Sequence, residues 1–383
     1  MRDIDILKQK LGKRAGVNEV LSKYCFLRIG GPADIYFEAR TTKEFIKVIL
    51  LARSHNIPVT ILGEGSNVLI SDAGIRGLVL TNKANEIEIL DKATKKERNS
   101  AVTPRWESDS KVGTFKYEFK DLDYDESNYP RVKVKMESGV ILPQVIDFLL
   151  KKKVTGLQWY AGIPGTIGGA IFNNIHGGTH FISEVLEYVR VLDKRGKSKK
   201  LSINDLGIDY DKSRFQESGE IILDAVFLLY TGDVNKAMYV KKEWAKRKSL
   251  QPRNSPGCAF QNLTQKQKTK LGFPTTSVGF IIEHKLNLSG FRVGDAAISK
   301  KHHNFVVNEG KATAADYLTV VKEIYYKAKE KLGVTLVPEI FFLGFNNKEV
   351  GEFRSQESLS LRKTRKLEIK KAYKNSKKLF SKP

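Results

Sequence analysis

Between Leu21 and Asn82 short apolar runs alternate with one stretch of helical period. "ADIYFEA" (33–39), "PVTILG" (58–63) and "GLVLTN" (77–82) read as strands, and "TTKEFIKVILLARSHN" (41–56) as an amphipathic helix opened by a Thr cap. A second unit runs from about Glu86 to Gly232. Its charged stretch from Asp91 to Tyr129 predicts an elaborated hairpin or a surface insertion. Then "RVKVKMESG" alternates cleanly as a strand, "ILPQVIDFLLKKK" has the period of a helix, and "EYVRVLD", "SKKLSI" and "EIILDAVFLLY" are strand-like. A third unit opens with the helix "VNKAMYVKKEWAKRKS". It closes with "TAADYLTVVKEIYYKAKEKLG", capped by Thr313 and stopped by Gly333, and the strand "PEIFFLG" follows. The chain shows no internal repeat.

Composition narrows the class. A chain of 383 residues with a 41% hydrophobic fraction can bury sizeable cores. No apolar run reaches the roughly 18 to 20 residues of a membrane helix, and "MRDIDILKQKLGKRAG" lacks the apolar stretch of a signal peptide, so a cytoplasmic protein without a membrane span is expected. Two cysteines, Cys25 and Cys258, exclude a disulfide framework and a zinc-site spacing. The net charge of +23 raises the question of a polyanionic partner. From Phe345 onward twelve Lys or Arg face four Glu, yet the remainder is basic too. A solvated basic surface explains this as well as nucleic-acid binding does. No nucleic-acid module is recognisable and few aromatics interleave with the basic tail, so nucleic acid is not the expected partner.

The candidate chemistry begins with "YAGIPGTIGGAIFNN" (160–174), which has four glycines and no charged side chain. Such a run marks either a tight packing corner or a loop pressed against a ligand's phosphates. "LGEGSNVLISDAGIRGLVL" (62–80) places Gly63, Gly65, Ser66 and Asn67 just after a strand, where successive backbone N–H groups can form an anion nest. Its glycine spacing is not that of the dinucleotide fingerprint. "RIGGPAD" (28–34) is another tight turn ahead of a strand. Three glycine-rich loops beside predicted strands suggest two lobes closing on an extended phosphate-bearing ligand. His302 and His303 are adjacent, and neighbours on an extended segment point to opposite faces, so they make a poor metal chelate.

With "YDKSRF" (210–215), "GCAFQN" (257–262), "SGFRVGDAAISKKHHNFVVN" (289–308) and "VPEIFFLG" (337–344), the chain from Leu21 to Gly344 resembles the MurB family, the UDP-N-acetylenolpyruvoylglucosamine reductases of cell-wall precursor synthesis. The resemblance implies an α/β (α+β) fold, a two-lobed FAD-binding domain of the vanillyl-alcohol-oxidase type followed by an α/β substrate-binding domain. It divides the chain into an N-terminal helix (1–20), a first FAD-binding lobe (21–85), a second lobe (86–232, with the insertion at about 91–129), a substrate domain (233–344) and a basic tail (345–383). It implies FAD as cofactor, NADPH as co-substrate and a UDP-linked amino-sugar enolpyruvate as substrate, acted on by a monomer.

Carried across, the resemblance gives the flavin Arg28, Gly30, Gly31, Gly63, Gly65, Ser66, Asn67, Gly162, Ile163, Pro164, Gly165, Thr166, Gly168, Gly169 and Asn174. The family's proton-donating Ser falls on Cys258, whose thiol gives up a proton more readily than a hydroxyl. Glu339 matches the assisting Glu, and Tyr210 the Tyr of the Tyr-Arg-x-Ser pattern. There the chain departs, with Asp211 in the Arg position. An Asp would repel the substrate's carboxylate. It is therefore expected to turn away, with Lys212, Arg214 or a cation from the third unit taking the place, and Arg214 is carried as the catalytic candidate. The alternative is a flavoprotein of this fold that has lost or changed the reaction. For the substrate's UDP group the third unit offers Asn262, Arg247, Arg253 and Lys270.

Overall fold

The computed structural model describes residues 3–93, 111–112, 115–116, 122–178 and 180–354. Helix α1 (Asp3–Leu11) ends earlier than the helix expected over 1–20. Gly12 turns to φ +68 and "GVNEV" becomes strand β1 (Gly16–Val20), its edge drawn into register with β2 (Pro32–Ala39) so that Gly16 faces Tyr36. Local helical tendency yields there to sheet pairing. Helix α2 (Thr42–Ser54) starts where the sequence indicated, Thr41 Oγ1 accepting from Glu44 N at 3.1 Å. Strands β3 (Val59–Ile61), β4 (Val68–Ile70) and β5 (Ile75–Asn82) follow. A four-stranded sheet runs β1-β2-β5-β3, parallel except for β1. Central β5 buries every residue but Arg76, as a strand covered on both faces must.

The second sheet is antiparallel. Strand β6 (Ile87–Ala93) leads to the short pair β7 (Lys111–Val112) and β8 (Phe115–Lys116). Residues 94–110, 113–114 and 117–121 of the expected insertion lie outside the described residues. Then come β9 (Arg131–Glu137), helices α3 (Leu142–Lys151) and α4 (Ile167–Phe172), the pair β10 (His176–Gly177) and β11 (His180–Phe181), β12 (Leu186–Leu192), β13 (Ser198–Ser202), the short helix α5 (Phe215–Ser218) and β14 (Ile221–Tyr230). The order is β13-β12-β14-β9-β6. Strand β9 buries Val132, Val134 and Met136 and turns its lysines outward, the alternation legible in "RVKVKME". The central β14 is buried from Ile222 to Leu229; its Asp224 is met by Arg190 of β12, Nε donating at 2.8 Å.

The third unit holds α6 (Val234–Ser249), α7 (Gln265–Leu271), α8 (Val278–His284), a small sheet of β15 (Arg292–Val293), β16 (Ala296–Ile298) and β17 (Val306–Asn308), helix α9 (Ala314–Leu332), strand β18 (Phe341–Leu343) and α10 (Asn347–Val350). Helix α9 begins at Thr313, which accepts from Asp316 N at 3.0 Å, and stops at Gly333 with φ +61. Of the expected basic tail, residues past 354 lie outside the described residues. Among the described residues no helix is long and apolar enough to cross a membrane.

Shared cores join the units. Leu192 and Leu223 of the second sheet pack with Ile35 and Phe37 of the first and with Phe45 of α2. The third unit's core takes in Leu27, Ile29 and Leu69. Strand β18 also returns to pair in parallel with β4. Three units anchored in this way leave one large cleft where they meet.

Candidate active site

The cleft measures about 1510 Å³ and all three units line it. Gly63 to Asn67 connect β3 to β4 on its first wall. Ser66 Oγ donates to Pro164 O at 3.0 Å, tying this loop to the second unit, and Asn67 Nδ2 donates to Glu339 O at 3.3 Å, tying it to the third. The glycines of these loops serve two purposes. A Cβ on Gly65, at φ +61, would meet Tyr24 O at 2.4 Å, so that residue is glycine for close packing. Gly162 lies under Lys248, whose Cβ is 2.7 Å from where its own would be, and Gly168 lies against Ser138 Cβ at 2.9 Å. Gly165, Gly169 and Gly63 differ: an added Cβ would meet nothing closer than Ser66 Oγ at 3.7 Å, Thr166 Oγ1 at 3.6 Å and Thr166 Oγ1 at 3.3 Å respectively. All three line the cleft. The uncharged segment 160–174 is therefore both packing corner and open cradle. Its last part forms α4, which Thr166 caps by accepting from Gly169 N at 3.2 Å. A bare strip of this kind, which any Cβ would narrow, fits a group whose phosphates approach the backbone closely.

The third unit supplies the reactive side chains. The segment through Cys258 crosses between two others: Ala259 N donates to Asn304 O at 2.7 Å, Glu339 N to Ala259 O at 2.9 Å, and Gln261 N to Val337 O at 2.9 Å. This lattice sets Cys258 beside Glu339, though they are distant in sequence. Burial pushes the Cys258 thiol well up, and the charge of Glu339 adds to the effect against the opposing pull of Lys248. The thiol is thus protonated at neutral pH. Lys248 ends helix α6, where the helix dipole favours a cation. Burial lowers its ammonium, while Cys258 and Glu339 act in the opposite direction.

The cleft collects most of the residues singled out from the sequence: Arg28, Gly63, Gly65, Ser66, Asn67, Gly162 to Thr166, Gly168, Gly169, Tyr210, Arg253, Cys258, Asn262 and Glu339 all line it. Others lie elsewhere. Gly30 and Gly31 are packing glycines, an added Cβ meeting Ile70 Cβ at 2.9 Å and Asp72 O at 2.0 Å. Asn174, at φ +43, donates from Nδ2 to Asp209 O at 2.9 Å and so anchors the turn before Tyr210. Arg247 lies over Trp244, 5.9 Å from the ring, and Lys270 is exposed on α7. Arg214 is held by Glu220, Nε to Oε2 at 2.8 Å, and by Asp205 O; Lys212 is paired with Glu217 at 2.8 Å. Neither lines the cleft, so the expectation that one of them replaces the missing arginine is corrected. The expectation that Asp211 turns away is corrected too. A tight Asp209–Lys212 turn puts Asp211 at φ +48, buried in the cleft wall, with Oδ1 4.0 Å from His176 Nε2. The third unit's cations in the wall are Lys248 and Arg253, and of these Lys248 lies within electrostatic reach of Cys258 and Glu339. Consecutive residues on a helix point about 100° apart, so reading "KRK" at the end of α6 without its packing favoured Arg247 over its neighbour. The two histidines diverge: His303 bonds Ser289 Oγ at 2.8 Å and lies 3.1 Å from Glu283, while His302 packs on Phe305 with ring centres 4.5 Å apart.

Comparison with known proteins adds to the geometry. Residues 33–98 and 118–202 match the family model of an FAD binding domain, and residues 250–343 that of the UDP-N-acetylenolpyruvoylglucosamine reductase C-terminal domain. The chain is 33% identical over 353 residues to the UDP-N-acetylenolpyruvoylglucosamine reductase of Clostridium novyi, covering 90% of this chain and 98% of the relative. It is 32% identical to that of Listeria monocytogenes over 86% and 94% of the two chains. The crystal structure of the Thermus caldophilus reductase superposes with a TM-score of 0.61 at 26% identity, covering 86% of this chain and 98% of that one.

Proposed function

The chain belongs to the UDP-N-acetylenolpyruvoylglucosamine reductase family, and from this we propose that it reduces UDP-N-acetylglucosamine enolpyruvate to UDP-N-acetylmuramate, with NADPH as reductant and FAD in the cleft. It is a flavin-dependent oxidoreductase of peptidoglycan precursor synthesis. In this reading residues 21–85 and 86–232 form the lobes that hold the flavin, and residues 233–344 the unit that meets the substrate, in a cytoplasmic monomer. The residues present fit FAD: Gly63, Gly165 and Gly169 leave the strip its pyrophosphate needs, with Ser66 and Thr166 beside it. FAD, when bound, supplies the hydride chemistry that couples NADPH oxidation to delivery of a hydride at C3 of the enolpyruvyl group.

The chain's own residues supply the rest. Cys258 donates its proton to C2, and the thiol is suited to this because burial and Glu339 keep it protonated. Solvent returns the proton once product has left. Lys248 provides positive charge for the substrate's carboxylate, and Glu339 stands next to the donor. Arg253 and Asn262 offer contacts to the diphosphate and uridine at the cleft's third-unit side.

The observation that carries this reading is the meeting of a protonated thiol, a carboxylate and an ammonium in the cleft that also holds the glycine strip. The test is direct. The purified protein should bind FAD stoichiometrically, accept one hydride from NADPH per flavin, and turn NADPH over repeatedly when the enolpyruvyl substrate is present to take the hydride on. A yellow protein that never reduces this substrate would overturn the assignment.

A further inference from the structure

Asp211 puts a negative charge where an incoming carboxylate is to be received. With Glu339 also in the cleft, that anion would meet two carboxylates and, in reach of Cys258 and Glu339, the ammonium of Lys248. The wall beside Asp211 also contains His176 of β10, whose Nε2 lies 4.0 Å from Asp211 Oδ1. The ring is half-buried and packed between Phe181 and Tyr210, at 5.3 Å and 5.1 Å between ring centres. Its Nδ1 is buried with no hydrogen-bond partner among the described residues, and the Gly178 backbone favours the charged ring.

We propose that His176, oriented by Asp211, receives the substrate's carboxylate in this chain, taking up a proton as that anion enters the cleft. The inference rests on the functional reading given above. An imidazolium between two carboxylates turns one repulsive contact into two attractive ones, and so does the work of a fixed cation. Asp211 then has a role that its charge alone would deny it: it lies against the ring and favours its charged form.

The surroundings explain why the charge is conditional. Burial and the nearby Lys248 hold His176 down at about 4, so the ring is neutral at neutral pH. The groups that face it are Asp211 and Tyr210 from the turn after β13, Lys248 from α6, and Phe181 from β11. The neighbouring His180 is turned to Asp123 and Glu184, at 2.5 and 3.1 Å, while Cys258 and Glu339 stand farther along the wall. Among these only Lys248 opposes protonation by its charge. An added carboxylate offsets it and raises the ring's proton affinity. Linkage then demands that binding takes up a proton at any pH between the free and bound values, and that affinity falls as pH rises through the bound value.

Titration calorimetry of the flavin-loaded protein with UDP-N-acetylglucosamine enolpyruvate, in buffers of different ionisation enthalpy near pH 6, measures this proton. The parent should take up about one proton per substrate bound. His176→Gln, which keeps a polar side chain but cannot titrate, should bind more weakly with no uptake, and Asp211→Asn should lose most of it. Flavin content shows that each variant has folded, and if one fails the other decides. Turnover by a parent that takes up no proton, or uptake that persists in His176→Gln, overturns the inference alone. A flavin-loaded parent that neither binds nor reduces the substrate overturns the functional reading and the inference with it.

Discussion

Gly168 and Gly169 are adjacent and chemically identical, and the fold gives them opposite sensitivities to one added methyl. At Gly169 a Cβ would meet only Thr166 Oγ1, at 3.6 Å, an ordinary contact. The residue lies within helix α4, and alanine in a helix is favoured over glycine by roughly 0.5–1 kcal/mol. Gly169→Ala should therefore leave the flavin-free protein as stable as the parent or raise its Tm by a few degrees. The methyl would, however, project into the strip assigned to the pyrophosphate. Overfilling a close-packed contact costs about 1–3 kcal/mol, which corresponds to about 5- to 150-fold weaker FAD binding. At Gly168 the methyl would instead meet Ser138 Cβ at 2.9 Å and Ser138 O at 3.0 Å. Gly168→Ala should thus lower Tm in both the flavin-free and flavin-loaded forms. The assay is thermal melting of stripped protein together with FAD titration by fluorescence. Undiminished FAD affinity in Gly169→Ala would place the flavin elsewhere and refute the cradle.

Cys258→Ala should lose about 10²–10⁴-fold in turnover, the usual worth of a general acid, while Cys258→Ser, which keeps a donor, remains active; stopped-flow should find the NADPH half-reaction intact in both, and parental turnover for the alanine variant would make the thiol mere packing. Lys248→Met should raise KM for the enolpyruvyl substrate far more than KM for NADPH, and a steady-state comparison with an equal effect on both would remove Lys248 from the carboxylate's site. Burial alone would lower His180, but the hydrogen bonds its ring donates to the Asp123 and Glu184 carboxylates raise it to about 9. A folded value above the unfolded one of about 6.5 means that this stabilisation is complete below the lower value and fades as pH rises through the higher. His180→Gln should therefore melt below the parent at pH 6, with the gap closing by about pH 10; a gap that does not change with pH would show that the pair is uncharged. Gly65→Val should fail to fold rather than merely lose flavin, because its Cβ collides with Tyr24 O and Cys25 Cα inside the protein; a folded, flavin-free Gly65→Val would show that the loop yields.

Much of this protein is legible in the order of its residues. Apolar period placed α2, α3, α6, α9 and the strands of both large sheets other than β1 and β6, because each such element must bury one face whatever surrounds it. Thr41, Thr313 and Gly333 marked helix ends, since capping is local chemistry. The ordered glycine loops, "GCAFQN" and "VPEIFFLG" pointed to the family and to Cys258 and Glu339. What the chain order could not settle is where side chains converge. Gly165 and Gly168 look alike in sequence, and only the position of Ser138 across the fold makes one a packing residue and leaves the other facing the cleft. Asp211 is expected to face away because its charge would repel the substrate's carboxylate; a turn with φ +48, set by contacts the chain order does not show, carries the carboxylate into the wall instead. Arg214 carried the right charge, but Glu220 had already claimed it. Lys248 came to the site because Gly162 has no side chain to keep α6 away. Periodicity and capping depend on neighbours a few residues apart, whereas a site depends on distances between units that the chain joins only by folding.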